Sequence, residues 1–172
     1  LNSYCATTSA WIMYDGPNYS GNQYIAIWAS ENPVCDDFTL TGGLSSIRHI
    51  GDRIDWEADT LNTFTSDFFM GQMDTLYTTN ETAGGLPLLN AAVTGSKCWT
   101  IYDQDHFQGA SVCLCANGFP VFYGRPDIVP VTHTGSVILS GSCPPGVSRP
   151  SGKSQPRFGE RRLENGMRME TQ

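Results

Sequence analysis

The sequence lacks the signals of a helical or membrane-spanning protein. No window of its 172 residues repeats apolar side chains at helical spacing for three turns, and 18 glycines and 10 prolines interrupt the chain. No apolar run approaches the roughly 18 to 20 residues that a transmembrane segment needs. The remaining stretches are short, rich in Val, Ile, Tyr, Trp and Thr, and separated by Gly, Asn and Asp. They predict an all-β protein, and an apolar content of 40% is enough to build a core.

Motifs that carry catalysis or bind metals are also missing. The chain has no HExxH, no glycine-rich phosphate loop, no GxSxG and no paired-carboxylate motif. Its three histidines, His49, His106 and His133, are far apart and have no cysteine or carboxylate companions at ligand spacing. We therefore predict a protein that is not an enzyme, with no catalytic residues, no metal site and no cofactor.

Basic residues are scarce in the first 143 residues, where 14 acids face four bases for a net charge of −10. Phosphate contacts need a basic face, so this body is not expected to bind nucleic acid. The segment 144–172 has the opposite balance and is dense in Pro, Gly and Ser. Its bases are Arg149, Lys153, Arg157, Arg161, Arg162 and Arg168. We expect a basic tail that is flexible or held by an acidic partner or a neighbouring copy; an unstructured solubilising tail is the alternative.

Six cysteines form an even set without a CxxC pair: Cys5, Cys35, Cys98, Cys113, Cys115 and Cys143. They predict disulfide bonds, whose pairing the sequence leaves open, and hence an oxidising compartment. Two N-x-S/T sequons predict glycosylation at Asn18 and Asn80. The chain starts at Leu1 without a leader, as signal-peptide removal would leave it, although a truncated chain would look the same. These features together predict a secreted glycoprotein.

One short pattern, aromatic-x4-aromatic-x-Gly, occurs three times. Its copies are Tyr14, Tyr19 and Gly21; Phe64, Phe69 and Gly71; and Tyr102, Phe107 and Gly109. A serine-led strand follows the first copy at Ser45 and Ser46 and the third at Ser136. The first aromatic can fold over a turn, and the glycine allows a backbone conformation that a Cβ would resist. A serine in the closing strand can then hydrogen-bond to the folded turn, so the motif is structural.

This combination resembles the Greek key motif of the βγ-crystallin family. The resemblance implies a β-sandwich in which each motif lends a strand to its neighbour, with units at about 9–51, 52–96 and 97–143. The middle unit matches loosely: Trp56 is a candidate for its hairpin aromatic, with an elongated turn, and its closing strand has no serine in the expected place. Three units are an odd number. Either the first two pair and the third seeks another chain, or the first and third pair around an insertion of residues 52–96.

The resemblance also raises calcium binding, through the pattern N/D-N/D-x-x-S/T-S. The corresponding segments here, 41–46 and 131–136, keep serines but have lost the acidic positions. Without carboxylates a site attracts Ca²⁺ weakly, so calcium is not expected, although Asp36 and Asp37 could substitute if their loop folded back.

The function we predict is that of a secreted, non-enzymatic structural or assembly protein with a protein partner or a second copy of itself. The alternative is a secreted binding or defence module, such as an inhibitor, toxin or antimicrobial protein. Its specificity would lie in a long insert of the third unit, residues 119–134, and in the turn before Phe69.

Overall fold

Over the residues it describes, 3–37, 40 and 42–150, the computed structural model contains twelve β-strands and one four-residue α-helix. The strands are β1 Ser3–Gly16, β2 Ser20–Asp37, β3 Ser46–Ile50, β4 Leu61–Phe64, β5 Met73–Leu76, β6 Leu86–Pro87, β7 Asn90–Val93, β8 Cys98–Tyr102, β9 Ser111–Cys115, β10 Val121–Tyr123, β11 His133–Thr134 and β12 Ser136–Ser140. The helix, α1, is Arg125–Ile128, and short turns lie at Asp67–Phe69 and Asp105–Phe107. The all-β prediction is confirmed. Within the described residues no helix has the length and apolarity needed to cross a membrane.

The strands form three main antiparallel sheets. The first sheet has the order β2-β1-β3, the second β10-β7-β4-β5 and the third β12-β8-β9, while β6 and β11 form a separate pair. Each main sheet is built on one of the three repeats, because β1, β4 and β8 each carry the first aromatic of a copy. The hairpin strand and the closing strand of the same copy flank that central strand.

Strand exchange joins the second unit to the third. Strand β10 leaves the third unit and pairs with β7 of the second sheet, Val121 opposite Val93. In return, Asn80 of the second unit bridges Val137 in β12. Both pairings considered from the sequence are therefore wrong, since they required the first unit to exchange strands. The exchange depends on residues 119–134, where the alternative function, a binding or defence module, would place its specificity. Phe122, Ile128 and Val131 in this segment are buried in the core.

The three main sheets stack as three layers, with the second sheet in the middle. Strands β4 and β7 are buried along their whole length because both faces of their sheet are covered. One face, with Leu61 and Val93, packs in a core shared only with third-unit residues such as Trp99. The opposite face packs against the first sheet: its residues Phe64, Phe69, Ala92 and Phe122 cluster with Ala10, Ile12, Tyr14, Ile25 and Ile50. The first unit is thus an added layer on a closed two-unit sandwich.

Strands β1 and β2 continue past β3 as a two-stranded ribbon. Residues Ser3 to Cys5 pair with Cys35 to Asp37, whereas β3 pairs only with Ala10 to Tyr14. In the first unit, over the residues described there, no β-bridge reaches the second or third sheet. The first unit therefore packs on its neighbour through side chains without exchanging a strand.

Residues 144–150 belong to the body, which corrects the predicted start of the tail. Val147 packs against the cysteines at the base of the third sheet. Ser148 bridges Val112, and its carbonyl accepts a hydrogen bond from the Cys113 N–H. A disulfide between Cys113 and Cys143 fixes the start of this segment.

Candidate functional site

All three repeats form the same folded hairpin. The two residues ending at the second aromatic adopt the left-handed backbone conformation, with φ of 53° and 60° at Asn18 and Tyr19. The corresponding pairs are Phe68 with Phe69 and His106 with Phe107, at φ values between 54° and 61°. In each hairpin the two aromatic rings meet edge to face, with centroids 5.9, 5.3 and 5.8 Å apart. The middle hairpin uses Phe64 with a turn of ordinary length, so the interpretation of Trp56 as its aromatic is wrong.

An acceptor directly after the first aromatic explains the glycine of the pattern. Asp15 Oδ1 accepts a hydrogen bond from the N–H of Asn22 at 2.7 Å, and Asp103 Oδ1 accepts one from Ala110 at 2.8 Å. Hydrogen bonds from the Asn22 side chain and from the Asn22 N–H lower the pKa of Asp15. A Cβ on Gly21 would lie 2.2 Å from Asp15 Oδ1, which leaves no room for a side chain. This acceptor was not predicted from the sequence, although an Asp follows the first aromatic in two of the three copies.

A side chain at the start of each closing strand locks the turn. Ser46 Oγ accepts from the Tyr19 N–H at 3.0 Å and donates to the Gly16 carbonyl at 2.7 Å. Ser136 Oγ makes the same two bonds, with the Phe107 N–H at 2.9 Å and the Gln104 carbonyl at 2.7 Å. The side chain of Ser45 is exposed, so Ser46 is the serine that holds the turn.

In the middle unit Asn90 replaces the serine. Its side-chain amide donates to the Ser66 carbonyl at 2.9 Å, and Ser66 follows Phe64 by two residues, as Gly16 follows Tyr14. A longer amide side chain reaches the same turn carbonyl that a hydroxyl reaches in the other units. The loose match of this unit in sequence therefore hides a regular hairpin.

Arg48 in β3 holds the first sheet against the hairpin of the second unit. Its side chain is 6% exposed and donates to the carbonyls of Phe69 at 3.2 Å and Gly71 at 2.7 Å. Its guanidinium lies 3.9 Å from the centre of the Tyr19 ring, and the Tyr14 hydroxyl also donates to the Phe69 carbonyl. Burial lowers the pKa of Arg48 and raises that of Tyr14. None of the described ion pairs involves Arg48; they join Lys97 to Asp59 and His106 to Glu81. The charge of Arg48 is therefore stabilised by two main-chain carbonyls and by the Tyr19 ring.

A groove of about 520 Å³ runs beside Arg48, between the edge strands β3 and β5. Four of the exposed large apolar side chains line it: Tyr19, Ile47, Ile54 and Tyr77. Ile54 is almost fully exposed at 97%. Asp52 and Arg53 also line the groove. The groove therefore combines four exposed apolar side chains with polar groups and charges of both signs, and it lies next to the sheet edge at β3.

The six cysteines form three disulfides, as predicted. Cys5 pairs with Cys35 across the ribbon, Cys98 with Cys115 across β8 and β9, and Cys113 with Cys143. Such bonds fit an extracellular or otherwise oxidising environment.

The remaining predicted sites are spread over the surface. Asn18 is exposed at the tip of the first hairpin, whereas Asn80 is half-buried and its side-chain carbonyl accepts from the Thr82 N–H at 3.0 Å. Arg149 donates to the Cys143 carbonyl of its own chain at 2.9 Å. The other tail bases lie outside the described residues: Lys153, Arg157, Arg161, Arg162 and Arg168.

Comparison with known proteins finds one relative and no matching family model. The chain is similar to Gamma-crystallin S of Macropus fuliginosus, with 28% identity over 128 residues. The match covers 73% of this chain and spans 60% of the length of that relative. The antiparallel sheets and the repeated hairpins fit this similarity, which favours a non-enzymatic structural β-scaffold.

Proposed function

We propose that the chain is a divergent member of the βγ-crystallin family and serves as a secreted, non-enzymatic structural or assembly protein. The observation that carries the proposal is the open edge of the first Greek key unit. The closing strands of the other two units have their outer edges covered: β7 by β10, and β12 by Asn80 and by the Thr79 hydroxyl, which accepts from Leu139 N–H. Among the residues that the structure describes, β3 is the last strand of its sheet.

An open edge exposes unpaired backbone donors and acceptors, which can template the addition of another strand. The groove beside β3 adds three exposed apolar side chains, Ile47, Ile54 and Tyr77. Apolar side chains that cluster on a surface indicate an interaction site. We propose that an extended segment of a neighbouring copy or of a protein partner adds to β3 and covers these side chains.

The basic tail supplies a second, electrostatic contact in this proposal. Five bases lie beyond Pro150, and the first 143 residues carry a net charge of −10. Opposite charge on body and tail favours docking of the tail of one copy on the body of another, and this contact weakens with salt. Arg149 takes no part in it because it is bound to its own chain.

Secretion is supported by the three disulfides, which form and persist in oxidising compartments. Expression through a eukaryotic secretory pathway would then add a glycan at Asn18, which is exposed at a hairpin tip. The mass loss on glycosidase treatment should be smaller by one glycan in Asn18→Gln. If Asn18→Gln retains the full mass loss, this part of the proposal fails.

Sedimentation velocity tests the assembly at low and high salt. We expect the full chain to self-associate, a chain ending at Pro150 to associate less at low salt, and Ile47→Lys to associate less at both salts. Lysine on an edge strand opposes strand addition. Phe119→Lys is the matched control, because Phe119 is similarly exposed but lies far along the chain from β3 and does not line the groove. Unchanged sedimentation of both the truncated chain and Ile47→Lys would contradict the proposal.

A further inference from the structure

Four of the six cysteines meet at one place at the base of the third sheet. Their Sγ atoms all lie within 4.8 Å of one another. Cys115 Sγ and Cys143 Sγ are 3.4 Å apart although they belong to different disulfides. Cys98, Cys113 and Cys143 are buried and Cys115 is half-buried. We call these four residues the sulfur tetrad.

The sheet itself brings the tetrad together. Cys113 and Cys115 are two residues apart in β9, so their side chains project from the same face. Cys98 in β8 lies directly opposite Cys115. Cys143 follows β12, and the bridge between Ser148 and Val112 holds the segment after it against β9. Backbone pairing therefore places Cys98, Cys113 and Cys115 independently of the disulfide bonds, and the Ser148 bridge keeps the segment after Cys143 near them.

Such an arrangement matches a structural zinc site. Zn²⁺ in proteins prefers four thiolates in a tetrahedron at a Zn–S distance of about 2.3 Å, which separates neighbouring sulfurs by about 3.8 Å. Opening both disulfides would lengthen the two bonded S–S distances to this value, and the whole tetrad already lies within 4.8 Å. We propose that the tetrad, when its two disulfides are reduced, binds one Zn²⁺ as a Cys₄ site.

The chemistry balances with a dithiol as the reductant. Each disulfide accepts two electrons and two protons from one dithiol, which closes to its own cyclic disulfide, so two dithiols leave four cysteine thiols. Zn²⁺ then displaces four protons and forms four Zn–S bonds, with no further change in oxidation state. Oxidation in the absence of metal reverses the first step and restores the two disulfides.

Charge near the tetrad favours its thiolate form. A Cys₄ zinc site carries a net charge of −2, which needs nearby donors or cations when it is buried. The Arg149 guanidinium donates to the Cys143 carbonyl at 2.9 Å, which places a cation next to the main chain of one tetrad residue. The third disulfide differs, because Cys5 and Cys35 are exposed and lie outside the tetrad. The inference is independent of the proposed assembly function and of secretion, because the same sulfurs serve as disulfides in an oxidising compartment and as zinc ligands in a reducing one.

Cobalt binding tests the site without any assay of function. The chain with Cys5→Ser and Cys35→Ser, which keeps only the tetrad, is reduced with a dithiol and freed of it by gel filtration under argon. We expect it to bind one Co²⁺ per chain with the intense visible absorption of tetrahedral cobalt thiolates, and one equivalent of Zn²⁺ to abolish that absorption. The oxidised chain should bind no metal, and a chain that additionally carries Cys113→Ser and Cys143→Ser should lose the tetrahedral spectrum.

Circular dichroism keeps the test decisive if reduction disturbs the fold. Should the reduced chain lose its β spectrum, one equivalent of Zn²⁺ is expected to restore it, since metal binding then supplies folding free energy. The proposal is overturned if the reduced chain, folded or unfolded, binds no more Co²⁺ than the variant lacking Cys113 and Cys143. An octahedral cobalt spectrum, or a stoichiometry unaffected by those two substitutions, would overturn it equally.

Discussion

Ser136 shows how much of the hairpin depends on one hydroxyl group. It is fully buried and satisfies both the Phe107 N–H and the Gln104 carbonyl. We expect Ser136→Ala to lower the free energy of unfolding by about 1–3 kcal/mol, because the substitution leaves a donor and an acceptor in the turn without their partner. Urea unfolding measures the loss. The control is Ser96→Ala, at an exposed position, which should change the free energy of unfolding by no more than about 0.5 kcal/mol. Equal losses in the two variants would contradict the role of the Ser136 hydroxyl in holding the turn.

His49 makes stability depend on pH. Burial lowers its pKa and Arg53 acts in the same direction, while a hydrogen bond with Gly51 and the charge of Asp52 oppose the shift. Because the folded pKa lies below the unfolded value of about 6.5, the neutral form stabilises the fold. This contribution is fully present above the unfolded pKa and is lost as pH falls through the folded pKa.

We therefore expect the urea midpoint of the native chain to fall between pH 7 and pH 5 more steeply than that of His49→Gln. The control is His133→Gln, which removes an exposed histidine and should keep the native slope. If His49→Gln and the native chain have the same pH dependence, burial of His49 does not affect stability in this range.

At the level of single residues, the sequence predicted the parts of the hairpin that repeat. The aromatic pairs, the glycines and the two serines were recognisable because their spacing recurs. Asn90 was not, since its role depends on reaching the Ser66 carbonyl and not on its residue type. Arg48 was not either, because an arginine in an alternating strand is usually expected to face solvent.

Between elements, Arg48 is the principal polar contact that joins the first sheet to the second hairpin. We expect Arg48→Met to destabilise the protein by about 2 kcal/mol through the loss of charge-assisted hydrogen bonds to the Phe69 and Gly71 carbonyls. Arg48→Lys should recover little, since a single ammonium cannot reproduce a fork of donors stacked on the Tyr19 ring.

Urea unfolding at a concentration where the chain is monomeric measures these changes. Arg53→Met is the matched control: Arg53 is exposed and lines the same groove, and its loss should change stability by no more than about 0.5 kcal/mol. A stability loss for Arg48→Met no larger than that of Arg53→Met would show that apolar packing alone holds the first sheet in place.

Among the elements, hairpins were predictable and exchanged strands were not. Local alternation and turn residues indicate where β1, β2 and β3 lie, because their pairing is set within one unit. The sequence of β10 does not indicate which sheet the strand joins. Phe122 and Tyr123 are equally compatible with a loop. Burial on both faces also removes the alternation on which such predictions rest, as in β7 with its run Asn-Ala-Ala-Val.

At the scale of the whole molecule, the stacking of the three sheets follows from which units contribute residues to each hydrophobic core. The core between the second and third sheets contains only residues of the second and third units, from Leu61 to Val137. The core of the first sheet is completed by Phe64, Phe69, Ala92 and Phe122, which belong to those units. No sequence pattern within one unit could reveal this dependence, because it is a property of how finished sheets pack.

The same asymmetry predicts how the chain can be divided. We expect residues 52–150 to fold cooperatively on their own, since they contain two exchanged units, a complete core and two disulfides. Residues 1–51 should remain unfolded alone, despite the bond between Cys5 and Cys35, because four of the nine buried residues in their larger core cluster lie beyond residue 51. Circular dichroism and urea titration of the two fragments measure this.

Fragment 52–150 should also self-associate at high concentration, because removing the first sheet exposes Phe69 and Phe122. A cooperative transition in residues 1–51, or its absence in 52–150, would mean that the first unit is part of the folding core and not a layer added to it.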